Sequence, residues 1–86
     1  MALTLQLARD LADFGIRVMA IAPGIMDTPM LAGVDAERRE ALLNLHLFPK
    51  RLGTPDDFAA LLKVFVEVTL LNGEVVRLDA GTRMAG

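Results

Sequence analysis

The run Pro23-Gly24-Ile25-Met26-Asp27-Thr28 holds the densest set of groups in this sequence that could do chemistry. A Pro-Gly pair breaks regular structure and leaves backbone bare, so its peptide groups can bond a planar amide. Thr28 adds a hydroxyl a few residues on. Met26 brings a polarisable thioether that can lie against a flat ring. Past Pro29, Met30 and Leu31 make an apolar wall bracketed by two candidate hinges, Gly24 and Gly33. A long apolar loop of this kind has the pattern of a lid. The chemistry on offer is binding of a flat, amide-bearing molecule, with no catalytic residue and no metal ligand set beside it.

The other polar candidates have simpler readings. His46 is the single histidine; no partner is spaced for a triad or a metal site, and a structural or solvated role near a helix end is expected. Asp56 and Asp57 fit as partners of a helix dipole, and Glu37-Arg38-Arg39-Glu40 as a solvated helix face. The absence of cysteine excludes disulfides, thiolate metal sites and a Cys nucleophile. A net charge of −2 without a Lys/Arg cluster argues against nucleic acid and anionic membranes as partners. No apolar stretch approaches the roughly 20 residues of a membrane span, and the N-terminus lacks the basic region of a signal peptide. The expected setting is cytoplasmic, or mitochondrial for a eukaryotic parent.

Several elements must position that loop. Residues 3–14 carry Leu3, Leu7, Leu11 and Phe14 on one helical stripe, and Leu5, Ala8 and Ala12 on a second. Two apolar stripes predict two packing partners. Gly15 suits a left-handed helix end. Residues 16–22 are apolar without alternation after Arg17, which predicts a parallel strand covered on both faces. A loop over 25–34 leads to a helix over 36–46, capped by Asp35. After a connection at 49–53, Thr54-Pro55-Asp56-Asp57 starts a helix reaching about Glu67, with Phe58, Leu61, Leu62 and Phe65 inside. Leu71-Asn72-Gly73 turns the chain into a strand over 74–78, closed by Asp79-Ala80-Gly81.

This order of helix, strand, loop, helix, helix and strand predicts an α/β fold: part of a doubly wound, Rossmann-like parallel sheet. A helix feeding a parallel strand is half of a βαβ crossover, and the first strand of that crossover is not in the sequence. Hydrophobic residues make up 53% of the 86. With glycine included the share is roughly 61%, against an ordinary 45–50%. A chain of this size has too little interior to hide such an excess. No cap precedes the first helix, which is already under way at residue 1. Residues 1–86 are therefore expected to be the C-terminal segment of a single domain, incomplete on its own, pairing with an N-terminal half or with further copies.

The site run also resembles the Pro-Gly-x-x-x-Thr segment of the short-chain dehydrogenase/reductase family. Its flanks match too: Ala8-Arg9-Asp10-Leu11-Ala12, Gly15-Ile16-Arg17-Val18, Ile21-Ala22-Pro23-Gly24, Arg51-Leu52-Gly53-Thr54-Pro55, Leu71-Asn72-Gly73-Glu74-Val75 and Arg77-Leu78-Asp79. The resemblance spans essentially the whole chain. It is nearest to the subgroup of type-2 3-hydroxyacyl-CoA dehydrogenases (type-10 17β-hydroxysteroid dehydrogenases), which Leu78-Asp79 through Arg83-Met84 favours. It implies a Rossmann fold, NAD(H) as hydride carrier, a small-molecule substrate such as an acyl-CoA, and a homo-oligomer, in this family a tetramer. Pro23, Gly24, Ile25 and Met26 would border the nicotinamide ring, Thr28 would bond its carboxamide, and Met30 and Leu31 would belong to a substrate lid. Asp79-Ala80-Gly81 departs from the commoner Asp-Gly-Gly.

The family's reaction needs a Tyr, a Lys and a Ser. The resemblance places the Tyr and Lys ahead of Met1, and the sequence contains no tyrosine. The glycine-rich Gly-x-Gly-x-x-Gly turn for a pyrophosphate is also missing. The chain alone is thus expected to be inactive. Two alternatives stand beside the secondary-alcohol dehydrogenase: a non-catalytic structural or oligomerisation module, and a segment of a 3-oxoacyl carrier-protein reductase using NADP.

Overall fold

The computed structural model describes residues 2–82. The order is α1 (Ala2–Leu11), β1 (Ala20–Pro23), α2 (Pro29–Ala32), α3 (Ala36–Leu43), α4 (Pro55–Glu67) and β2 (Val75–Leu78). The two strands pair in parallel, Ala20 opposite Val75 through Pro23 opposite Leu78. A parallel pair requires a crossover, and α2, α3 and α4 supply it. The α/β class and the parallel sheet are those expected. Arg83 and Met84, which favoured the subgroup, lie outside the described residues.

Several boundaries differ from expectation. The first helix ends at Leu11, and residues 12–14 tighten into a 3₁₀ turn before Gly15 takes the left-handed conformation at φ 71°. The first strand begins at Ala20 and not at residue 16. A strand needs a partner ladder, and what faces Val18 is a turn: its N–H bonds the Asn72 side chain at 2.8 Å and its carbonyl accepts from Gly73 at 2.7 Å. The expected loop over 25–34 contains one helical turn, α2. The helix expected to reach residue 46 stops at Leu43, where Asn44 caps it.

α4 starts as its sequence dictates. The Thr54 side chain accepts from Asp57 N–H while the Asp57 carboxylate accepts from Thr54 N–H, a complete capping box with Pro55 at the first turn. Its other end is closed by a distant residue. The Arg17 guanidinium donates to the carbonyls of Phe65 at 2.7 Å and Leu71 at 3.1 Å. A cation at a helix C-terminus meets both unpaired carbonyls and the dipole, so Arg17 ties the approach to β1 onto the end of α4.

The interior is thin. Ala8 and Phe65 are the buried hydrophobic residues among those described, joined by the polar Thr4, His46 and Asp79. α1 turns its small-residue side inward: Ala8 rests against Gly73, where a Cβ would sit 3.4 Å from the Ala8 Cβ. The leucine stripe faces out, with Leu3 69% and Phe14 75% exposed. α4 buries Phe65 and leaves Val66 71% exposed. Total accessible surface is 6409 Å², against about 5,000 Å² for a compact protein of this mass. The radius of gyration is 15.7 Å, where about 12 Å is usual for this length. Among the described residues these elements leave much of one another's apolar faces uncovered. Among the described residues no helix is long and apolar enough to cross a membrane.

Candidate functional site

The loop after β1 leaves the sheet under tight constraint. Gly24 donates to the Leu78 carbonyl at 2.9 Å, which keeps it flat against the end of β2. A Cβ built there would lie 2.7 Å from the Asp79 Cα and 3.0 Å from His46 Nε2. No side chain fits at that approach, and Gly24, expected as a hinge, is wedged. Asp79 is itself held. Its carboxylate accepts from Gly81 N–H at 3.0 Å and pairs with Arg77 at 2.6 Å.

His46, expected to be structural or solvated, is among the most buried side chains, 2% exposed. Its Nδ1 lies 2.7 Å from the Arg51 carbonyl, which can only accept, so Nδ1 bears the proton. Its Nε2 accepts from Ile25 N–H at 3.0 Å. The partners thus select one neutral tautomer. Segment 46–48 is further held to β2 through the Ala80 carbonyl, which accepts from Leu47 N–H at 2.9 Å.

One step later the loop meets Gly53. Gly53 donates to the Ile25 carbonyl at 2.9 Å, and its own carbonyl accepts from Asp27 N–H at 2.7 Å, a parallel bridge between Met26 and Gly53. The Met26 side chain lies over Gly53, whose added Cβ would sit 2.5 Å from the Met26 Sδ. Arg51 anchors this segment by a two-pronged contact with the Asp57 carboxylate, at 2.7 and 3.0 Å. Hydrogen bonds from Arg51, then from Thr54 N–H, hold the Asp57 carboxyl far below the usual carboxylate range; the same bond raises Arg51.

The loop N–H groups of Gly24, Ile25 and Asp27 are spent on Leu78, His46 and Gly53. That of Met26 has no acceptor among the described residues. The Thr28 side chain, at the N-cap of α2, makes no capping hydrogen bond. Met30 is 88% exposed and Leu31 half-buried on the same turn. Gly33 closes α2 at φ −83°, a conformation open to any residue. The structure thus brings Pro23, Gly24, Ile25, Met26 and Thr28 together at the carboxyl end of β1, where open α/β sheets bind ligands. Met30 and Leu31 stand beside them on α2.

A small cavity of about 110 Å³ is lined by His46, Arg51, Gly53, Asp57 and Asp79, among others, and by none of residues 23–31. An open depression of about 390 Å³ lies beside Asp27 and is lined by Arg39, Lys50 and Arg51. Arg39 pairs with Asp27 at 3.4 Å. Among the described residues no cluster of metal-ligating side chains occurs. Sequence reasoning gave His46 a structural or solvated role without its partners, and placed Gly53 only in a connection. Both gain their roles from partners across the fold, and neither carries a local signal of it.

Known proteins supply the comparison. A family model described as enoyl-(acyl carrier protein) reductase matches residues 1–83. The 3-hydroxyacyl-CoA dehydrogenase type-2 of Bos taurus is 49% identical over 95% of this chain and 31% of its own length. That of Drosophila melanogaster is 48% identical over 95% of this chain and 32% of its own. The solved structure of 3-hydroxyacyl-CoA dehydrogenase type-2 from Mycobacterium avium superposes with a TM-score of 0.92 at 45% identity, covering 98% of this chain and 33% of that one. The chain spans about a third of the length of the relatives it matches.

Proposed function

The chain belongs to the short-chain dehydrogenase/reductase family, and from that premise we propose that residues 23–28 hold the nicotinamide end of NAD(H) in an enzyme interconverting a secondary alcohol and a ketone. The observation behind this reading is the pair of unspent groups on one short stretch, the Met26 N–H and the Thr28 hydroxyl. A primary carboxamide presents one acceptor and a pair of donors. Met26 N–H serves the carboxamide oxygen, and the Thr28 hydroxyl accepts from its NH₂. When bound, the cofactor accepts or returns a hydride. What this chain supplies is orientation. Two hydrogen bonds fix the rotation of the carboxamide, and Pro23, Gly24 and Ile25 provide the rigid floor beside the ring. Because the Met26 side chain rests on Gly53, Met26 contributes through its backbone.

Met30 and Leu31 form the apolar side of the substrate cleft. For the substrate we propose a 3-hydroxyacyl-CoA ester. The depression beside Asp27 offers the Lys50 ammonium to a phosphate, with Arg39 and Arg51 beside it already paired to Asp27 and Asp57, and the two curated relatives above bear that activity in their names. The tyrosine that the family uses as general acid/base is not among these residues.

A hybrid tests the reading: residues 1–86 joined to the remaining two-thirds of the Mycobacterium avium relative. NAD-linked oxidation of a 3-hydroxyacyl-CoA is expected. Thr28→Val should raise the KM for NAD by about tenfold, the equivalent of one hydrogen bond of about 1.4 kcal/mol. A folded hybrid without turnover, or an unchanged KM in Thr28→Val, would contradict it. The 86-residue chain alone should give no turnover above background.

A further inference from the structure

His46 is a buried histidine with both ring nitrogens used, and nothing in the proposed cofactor contacts calls for it. Its two bonds join segments distant in sequence. Nδ1–H donates to Arg51 at 2.7 Å, and Nε2 accepts from Ile25 at 3.0 Å. Arg51 is a firm support, since its guanidinium is held by Asp57 and its neighbour Gly53 bridges to Met26. The ring is therefore a strut between a fixed segment and the loop.

The strut bears on the group offered to the ligand. The only cis peptide bond among the described residues is Phe48–Pro49, so the peptides of the loop are trans and each carbonyl points opposite to the N–H of the same plane. The Gly24–Ile25 plane is pinned by His46 through its N–H. The Ile25–Met26 plane is pinned by Gly53 through its carbonyl. With the Ile25 carbonyl aimed at Gly53, the Met26 N–H must point away from Gly53. Gly24 sits against the same ring, its virtual Cβ 3.0 Å from Nε2. Without an acceptor at Nε2, Ile25 would retain a part-buried, unpaired N–H, and the first plane would be free to rotate to find another.

We infer that His46 is a positioning residue for the nicotinamide-side loop: by accepting the Ile25 N–H it fixes the Gly24–Ile25 peptide plane, and so holds Ile25 where its carbonyl meets Gly53 and the Met26 N–H faces outward. The inference rests on the proposed cofactor role of residues 23–28. It assigns the effect to Nε2 alone, and amide side chains can separate the two bonds. His46→Gln places an amide oxygen near the Nε2 position and keeps an acceptor for Ile25. His46→Asn places an amide N–H near the Nδ1 position and keeps only the Arg51 bond.

The test uses the NAD-linked hybrid and its two His46 variants, with NAD⁺ as the probe. Backbone hydrogen exchange is read residue by residue by mass spectrometry across an NAD⁺ titration. The Ile25 amide should stay protected in His46→Gln and lose protection in His46→Asn. The NAD⁺ concentration giving half-maximal protection at Met26 should rise about tenfold in His46→Asn and stay within about twofold in His46→Gln, as expected for loss and retention of one hydrogen bond. A general packing role would move both variants alike. Equal shifts, or no shift in His46→Asn, would overturn the inference while leaving the cofactor reading intact. No NAD⁺-dependent protection of Met26 in an unmodified hybrid that binds NAD⁺ would overturn that reading, and the inference with it.

Discussion

Replacing Gly24 by alanine puts a methyl group where the fold has no room. The new Cβ would lie 2.7 Å from the Asp79 Cα and 2.8 Å from its Cβ, against about 3.5–4.0 Å for carbons in contact. Asp79 cannot yield cheaply. Its carboxylate is bound to Arg77 and to Gly81 N–H, and its carbonyl accepts from Thr82 N–H. The conflict is resolved by parting the ends of β1 and β2 by about 1 Å, which takes the 2.9 Å Gly24–Leu78 bond out of range. Overpacking costs about 1–3 kcal/mol and the lost bond about 1 kcal/mol. The expected loss is therefore about 2–4 kcal/mol. Gly33→Ala is the matched control. Its nearest neighbour is the Met30 carbonyl at 3.9 Å, and its φ is −83°, so alanine should be neutral or stabilising by about 0.4–1 kcal/mol. Urea unfolding followed by far-UV circular dichroism compares the two. Protein concentration must be matched, because the exposed apolar faces of α1 and α4 favour association. Gly24→Ala within about 0.5 kcal/mol of the unmodified chain would refute the argument.

Three further outcomes follow from the same contacts. Ala80 stands at φ 50°, where a Cβ costs about 1–2 kcal/mol; Ala80→Gly should recover about 0.5–1 kcal/mol of this after the entropy of glycine is subtracted, measured by urea unfolding. Asp57 titrates below its ordinary 3.8 because Arg51 and Thr54 stabilise the carboxylate. The stabilisation is therefore full above that ordinary value and fades as pH falls below it. Asp57→Asn should lower stability at neutral pH and flatten the decline in acid, seen in unfolding midpoints from about pH 6 to pH 2. Arg17→Met removes charge-assisted bonds to the end of α4 and should cost about 1–3 kcal/mol, with fraying of residues 64–68 visible by hydrogen exchange.

Much of this architecture could be read from the residues in order, because the signals are local. Thr54-Pro55-Asp56-Asp57 names a helix start by itself, and the structure adds only that Asp57 also receives Arg51. The apolar run before Pro23-Gly24 reads as a parallel strand, which needs no alternation, but the covering of both faces expected of it is not seen: Ala20–Ala22 are half-buried and Pro23 is exposed. The start of β1 could not be read, because a strand begins where its partner does. The orientation of α1 was hidden for a similar reason. Its leucine stripe is the stronger hydrophobic signal, yet Ala8 is the side that packs here, since close approach to Gly73 needs a small residue. His46 is the clearest case. A lone histidine in sequence has no visible partners, and both of its acceptor and donor contacts arise only when the loop after β1 and the segment before α4 meet.

The central claim is that this chain orients the carboxamide end of a nicotinamide through a loop whose other N–H groups are already spent. Hydrogen exchange of the four amides from Gly24 to Asp27 in the NAD-linked hybrid, with and without NAD⁺, tests it most directly. The account predicts that Met26 exchanges fast without the cofactor and becomes protected with it, while Gly24, Ile25 and Asp27 are protected in both states. A Met26 amide that NAD⁺ leaves unchanged in a hybrid that binds NAD⁺ would contradict it.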